Sequence, residues 1–196
     1  MSLGMALAYR RVLIADDIAP VRRTLARLAT AALGAEVIET ANDGAEVLER
    51  LAWAREREAP FDLLISDIGM PRFSGVGLLV RMRSLGLDAP TLFCTGRSDC
   101  PAIGQLHALG FIVLDKPFGP PAVVSALQSR PRSPMQVPSL DTTTALACTS
   151  TRATTSACAD YCGASVQLDD EAQHRLMKIR EGRRRLSRRR EPPPPA

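Results

Sequence analysis

Five short runs of apolar residues punctuate the first 130 positions, and a stretch with helical spacing follows each of them. Val12 to Ala15, Leu63 to Ile65 and Thr91 to Cys94 show no alternation of apolar and polar residues. Such runs read as strands buried on both faces, because alternation is expected only where one face meets water. Glu36 to Thr40 reads as a second strand in chain order, and Phe111 to Leu114 as a fifth. After Ala19-Pro20, where proline is tolerated in a first helical turn, Val21, Leu25, Leu28 and Ala32 recur at helical spacing, and Gly34 suits the C-terminal cap. Asn42-Asp43-Gly44 is a turn cluster with a capping candidate. Val47, Leu48 and Leu51 then form the inward side of a second helix, with Glu56, Arg57 and Glu58 as its solvated end. Val76, Leu79, Met82 and Arg83 predict a third helix that stops near Gly86. Ser98-Asp99 can cap a fourth, but Pro101 and Gly104 make it a poor helix former, so it is expected to be short or mobile. Val123, Val124 and Leu127 predict a last helix ending near Arg130. Strands alternating with helices in this way predict an α/β fold, a parallel sheet covered on both faces.

Composition divides the chain. Of 196 residues, 45% are hydrophobic, enough for a sizeable core. Up to Arg130 there are 14 acidic and 14 basic residues, so the whole excess of +4 lies beyond that point. The expected organisation is an N-terminal extension over 1–9, a folded domain over 10–130, a Ser/Thr/Pro-rich linker over 131–167 expected to be disordered, and a basic tail over 168–196. In that tail Leu168, Ala172, Leu176, Ile179 and Leu186 fall near helical spacing, and the segment GRRRLSRRR concentrates positive charge. The tail can attract nucleic acid or an acidic partner, or it is simply a solvated basic end. No second apolar core accompanies it, so no DNA-binding output domain is expected there. No segment reaches the roughly 18 continuous apolar residues of a membrane span, and the start lacks a secretory pattern, so a cytoplasmic location is expected. The five cysteines show no metal-binding spacing with two ligand pairs and read as free thiols.

Candidate chemistry gathers at the ends of the predicted strands. Asp16 and Asp17 follow the first, Asp67 ends the third, Thr95 ends the fourth, and Lys116 follows the fifth. In open α/β sheets the carboxyl edge of the strands is where ligands are handled. Carboxylates converging there repel one another and raise each other's pKa unless a cation sits among them. Magnesium suits such a set, because it prefers oxygen ligands and keeps waters and phosphate oxygens in its shell. One carboxylate could then act as a nucleophile toward phosphorus, with Thr95 and Lys116 neutralising the phosphoryl oxygens. Lys116 is one of only two lysines against 23 arginines, which suggests a site that wants a compact point charge.

At these residues the chain resembles the receiver domain of two-component response regulators. The resemblance rests on Asp16-Asp17, on Asp67-Ile68-Gly69-Met70-Pro71 with Gly75 four residues after that proline, on Thr95-Gly96 and on Lys116-Pro117-Phe118, in order and with near-family spacing across residues 10–130. It implies a doubly wound, flavodoxin-like sheet of order 2-1-3-4-5 with helices on both faces. It also implies that Asp67 is the phosphoacceptor, served by a histidine kinase or histidine phosphotransfer protein. Asp17, Asp67 and the Gly69 backbone carbonyl would ligate Mg2+ or Mn2+ directly, and Asp16 largely through water. Thr95 and Lys116 would stabilise the phosphoryl group. Pro71, Gly75 and Pro117 would be structural, with the Lys116-Pro117 bond cis, while Gly69 and Arg97 occupy positions that tune phosphoryl lifetime. Such a domain is no enzyme beyond self-phosphorylation and self-dephosphorylation. It works as a monomer or phosphorylation-dependent dimer and switches an unknown downstream protein.

The chain departs from the family at the switch position three residues before the lysine, where Val113 replaces the usual aromatic and Phe111 lies two residues too early. The stretch from Thr95 to Lys116 is also one residue short. Transmission of the signal is therefore expected to be atypical. Two other classes compete with this reading. An aspartate-nucleophile phosphatase of the haloacid dehalogenase type also uses strand-end carboxylates, magnesium and a lysine, but wants a second Asp two residues after the nucleophile, where this chain has Gly69. A nucleic-acid-binding protein acting through the arginine-rich tail would instead show strongly salt-dependent affinity.

Overall fold

The computed structural model describes residues 9–70 and 73–129. The expected folded domain is therefore described almost whole, while Pro71, the linker and the basic tail lie outside the described residues. Five strands, β1 (Arg11–Ala15), β2 (Val37–Ala41), β3 (Leu63–Asp67), β4 (Thr91–Thr95) and β5 (Val113–Asp115), alternate with five helices. These are α1 (Ala19–Leu33), α2 (Gly44–Glu56), α3 (Gly75–Ser84), α4 (Pro101–Ala108) and α5 (Pro120–Gln128). The sheet is parallel throughout, in the order β2-β1-β3-β4-β5. That is the doubly wound, flavodoxin-like order the resemblance implied.

The unbroken apolar runs have the expected consequence. Every residue of β3 and β4 is buried, and alternate residues feed two separate cores. Leu13, Leu64 and Phe93 point toward α2, α3 and α4, where Leu48, Leu78 and Leu106 meet them. Val12, Ile14, Leu63, Ile65 and Leu92 point toward α1 and α5, where Leu25, Leu28 and Val123 meet them. β3 is buried on both faces and paired along both edges, and it is the strand that ends in Asp67.

Helix ends follow the local chemistry. Asp43 caps α2, its carboxylate accepting from the Ala45 and Glu46 N–H groups at 2.8 and 2.9 Å, and Ser74 caps α3 through the Gly77 N–H at 3.2 Å. Gly34 closes α1 in the left-handed region at φ 67°. At the end of α2, Glu56, Arg57 and Glu58 are exposed, the solvated end the sequence predicts, and Arg57 stacks over the Trp53 ring 3.9 Å from its centroid.

Three boundaries differ from the sequence expectation. The fourth helix is short, as expected, but is preceded by Cys100 with no side-chain cap, not by Ser98-Asp99. Pro101, whose fixed φ is pre-organised for a first helical turn, starts it instead. The fifth strand begins at Val113 and not at Phe111. The Phe111 N–H is used by the Leu106 carbonyl at the end of α4, and the ring packs edge-on against Phe93 at 5.4 Å. The last helix ends at Gln128, two residues before Arg130.

Candidate functional site

A parallel sheet puts the carboxyl ends of all its strands on one edge, and the register aligns them here. Ala15 lies beside Ala41 and Ser66, Asp67 beside Cys94, and Thr95 beside Asp115. Residues that follow these positions therefore face a common cleft. Asp16 is fully buried, and Asp67 and Thr95 are 7% and 4% exposed.

Lys116 joins the two buried acids. Its Nζ donates to Asp16 Oδ2 at 2.5 Å and to Asp67 Oδ1 at 2.5 Å. The other oxygen of each carboxylate accepts a backbone N–H, from Ile18 to Asp16 Oδ1 at 2.9 Å and from Gly69 to Asp67 Oδ2 at 2.6 Å. The Lys116 N–H also donates to the Thr95 carbonyl at 2.7 Å, which ties the end of β5 to that of β4. Thr95 Oγ1 accepts from the Arg97 N–H at 3.0 Å and donates to the Arg97 carbonyl at 3.2 Å, so its hydroxyl is held at the mouth of the cleft.

One ammonium faces two carboxylates, so the cluster keeps a formal charge of −1 in a low-dielectric place. Burial raises the pKa of Asp67; the Lys116 ammonium and the Gly69 N–H offset this only in part, and the charge of Asp16 adds to it. Burial alone would lower the pKa of Lys116, but the hydrogen bonds to Asp16 and Asp67 and the charge of Asp67 reverse the sign and hold the ammonium above its ordinary value. Cys94, behind Asp67 in the next strand, is pushed up chiefly by burial and stays a thiol. Under-compensated charge, hard oxygen donors and no ionised sulfur form a set that fits Mg2+ or Mn2+.

The structure brings together Asp16, Asp67 and Lys116, with Gly69 and Thr95 at the same edge. Asp17 differs: it is exposed, and among the described residues no group of three or more His, Cys, Asp or Glu side chains is arranged to hold a metal. The Lys116 ammonium lies between the two buried carboxylates. The role of Asp16, which the resemblance made largely water-mediated, here includes a direct ion pair with Lys116. The Lys116-Pro117 peptide is cis, as the resemblance implied. Gly75 opens α3 where a Cβ would come within 3.1 Å of the Phe93 ring. Val113 lies opposite Phe93 and packs, partly buried, against the core, and Arg97 is exposed. Pro71 lies outside the described residues.

The sequence reading passed over Arg22. Its Nη1 donates to the Asp16 carbonyl at 2.5 Å. The available signal was a cation in the first turn of α1, where it opposes the helix dipole.

Comparison with known proteins agrees with this geometry. The family model described as the response regulator receiver domain matches residues 12–128. The response regulator MprA of Mycobacterium leprae is 38% identical over 109 residues, covering 55% of this chain and 45% of that protein. The chain thus matches less than half the length of that relative. Among solved structures, the CheX-CheY-BeF3-Mg complex from Borrelia burgdorferi matches with a TM-score of 0.52 at 22% identity, covering 61% of this chain and 87% of that chain. The receiver domain of the histidine kinase CKI1 from Arabidopsis thaliana, complexed with Mg2+ and BeF3-, matches at 0.51 and 20% identity, covering 62% and 89%. At these identities the structures speak for the fold alone. The match over residues 12–128, joined to the 2-1-3-4-5 sheet and its buried acids, makes this chain a member of the response regulator receiver domain family.

Proposed function

We propose that Asp67 accepts a phosphoryl group from a histidine kinase or histidine phosphotransfer protein, and that the resulting change at the strand edge alters contacts with a downstream protein. The observation that carries this reading is Lys116 Nζ at 2.5 Å from both Asp16 and Asp67. An Asp67 oxygen attacks phosphorus, the bond from phosphorus to the donor imidazole breaks, and its electron pair stays on the imidazole nitrogen, which takes a proton from solvent. The product is an acyl phosphate on Asp67. Lys116 opposes the effect of burial on Asp67 and offers its charge to the phosphoryl oxygens. Thr95 supplies a hydrogen bond to the same oxygens by turning its one hydroxyl proton from the Arg97 carbonyl to the phosphoryl group.

Asp16, Asp17, Asp67 and the Gly69 carbonyl would hold Mg2+ or Mn2+, which when bound neutralises charge on the transferring group. Gly69 and Arg97 tune how long the acyl phosphate survives, through the space and charge they leave at the cleft. Val113 fills the switch position with an aliphatic side chain, so coupling from Thr95 to the outer face runs through packing on Phe93 and not through a rotating ring. The phosphatase alternative needs an acid at the Gly69 position. Gly69 has no side chain to act as that acid, and its N–H is directed at Asp67 Oδ2. Binding of nucleic acid through the tail is a separate matter, since the tail lies outside the described residues.

Intact mass spectrometry after incubation with a small-molecule phosphodonor and Mg2+ tests the reading. Wild type should gain a single phosphoryl adduct and Asp67→Asn none. A repeated turnover of external phosphoester without an adduct would sink the receiver reading.

A further inference from the structure

Asp16 is fixed at each of its polar atoms. Its N–H donates to the Ala41 carbonyl at 3.2 Å, Oδ1 accepts from the Ile18 N–H at 2.9 Å and Oδ2 from Lys116 at 2.5 Å. The remaining atom, the backbone carbonyl, accepts from Arg22 Nη1 at 2.5 Å. That carbonyl belongs to the peptide linking Asp16 to Asp17. Because a peptide is planar, a charged donor on its oxygen sets the orientation of the whole unit from which both acids project.

Arg22 gains nothing for its own helix by lying there. It sits in the first turn of α1, where the macrodipole disfavours a cation. That turn contains no acid, and Ile18 provides no side-chain cap. Ordering a long arginine side chain also costs rotamer entropy. Toward α2, Arg22 acts as a minor charge on Glu46. Among the described residues, its strong, charge-assisted contact is on the acid-bearing peptide.

We propose that Arg22 is a positioning residue for the metal pocket: by holding the Asp16-Asp17 peptide it sets the affinity of the cleft for a divalent cation. The inference rests on the reading of these acids as magnesium ligands.

Calorimetric titration of the full chain with Mg2+ tests it, comparing wild type, R22A, R22K and R23A. Arg23 is the adjacent, exposed residue of the same helix, and its loss removes the same charge. R22A should bind about 10-fold more weakly, as for other residues that orient metal ligands. R22K, which keeps a charged donor, should recover part of this, and R23A should match wild type. Without metal, hydrogen exchange at the Ile18 amide should be faster in R22A, because the Asp16 loop is no longer held. If R22A does not fold, R22Q is titrated in its place and read the same way. Equal affinity of wild type and R22A, or an equal loss in R23A, overturns the role of Arg22. A wild type that binds no Mg2+ and forms no adduct on Asp67 overturns the reading of the site as well.

Discussion

At the scale of single residues, charge balance governs the behaviour of this domain. Asp67 has a raised pKa because burial outweighs the help from Lys116 and Gly69, whereas Glu46 shows the opposite outcome a short distance away. Burial would raise Glu46 too, but the Asn42 N–H at 2.8 Å and the Arg50 guanidinium outweigh it, and its carboxyl lies below the ordinary value. A carboxyl depressed in the folded state adds stability above its unfolded pKa and loses it as pH falls through the folded one. Glu46→Gln should therefore lower the melting temperature near neutral pH, by the equivalent of under about 1 kcal/mol for so solvated a pair. The gap to wild type should close as pH drops below about 4; a gap that stays constant in thermal melts from pH 7 to pH 3 would refute the assignment. Asp16, Asp67, Thr95 and Lys116 were readable as site residues because each stands at the end of an apolar run. Arg22 offered only the weaker signal of a cation in a first helical turn, because its partner is a backbone carbonyl.

Among the elements, two helical glycines separate packing from propensity. Gly44 opens α2 against the side chain of Phe73, where a Cβ would come within 2.7 Å of Phe73 Cβ. Gly104, in the middle of α4, has nothing within 4 Å of the corresponding position. The same substitution should thus act in opposite directions. Gly44→Ala should destabilise by about 1–3 kcal/mol through overpacking. Gly104→Ala should stabilise by about 0.5–1 kcal/mol through the lower backbone entropy of the unfolded chain. Urea denaturation of both variants checks the signs, and a stabilised Gly44→Ala would mean that Phe73 does not press on α2. The weakness of α4 was legible from Pro101 and Gly104. Its true start was not, since Ser98-Asp99 and Pro101 are both good first-turn signals and only the chain path after Thr95 chooses between them.

For the molecule as a whole, the two apolar layers, one on each face of the sheet, close entirely within the described residues. Charge is balanced over the chain up to Arg130. A chain ending at Arg130 should accordingly unfold in one cooperative transition and still gain the Asp67 adduct at the wild-type rate. Loss of either property on truncation would show that residues beyond 130 belong to the folded unit. Among the described residues no helix is long and apolar enough to cross a membrane.

The alternation of strand and helix, the burial of β3 and β4, and the placing of acids, threonine and lysine at strand ends were determined by the sequence alone, because hydrophobic periodicity acts over a few residues at a time. Tertiary structure decided the rest. Lys116 reaches Asp16 across 100 residues of chain, a contact that exists only because the sheet order sets β1 and β3 side by side with β4 and β5 beyond them. It also decided that the ammonium, and not the exposed Asp17, completes the buried cluster, that Phe111 serves α4 and the Phe93 ring before the last strand begins, and that Arg22 grips the peptide between the two acids. Strand order and register assign neighbours, and neighbours set the fields and hydrogen bonds on which this chemistry runs.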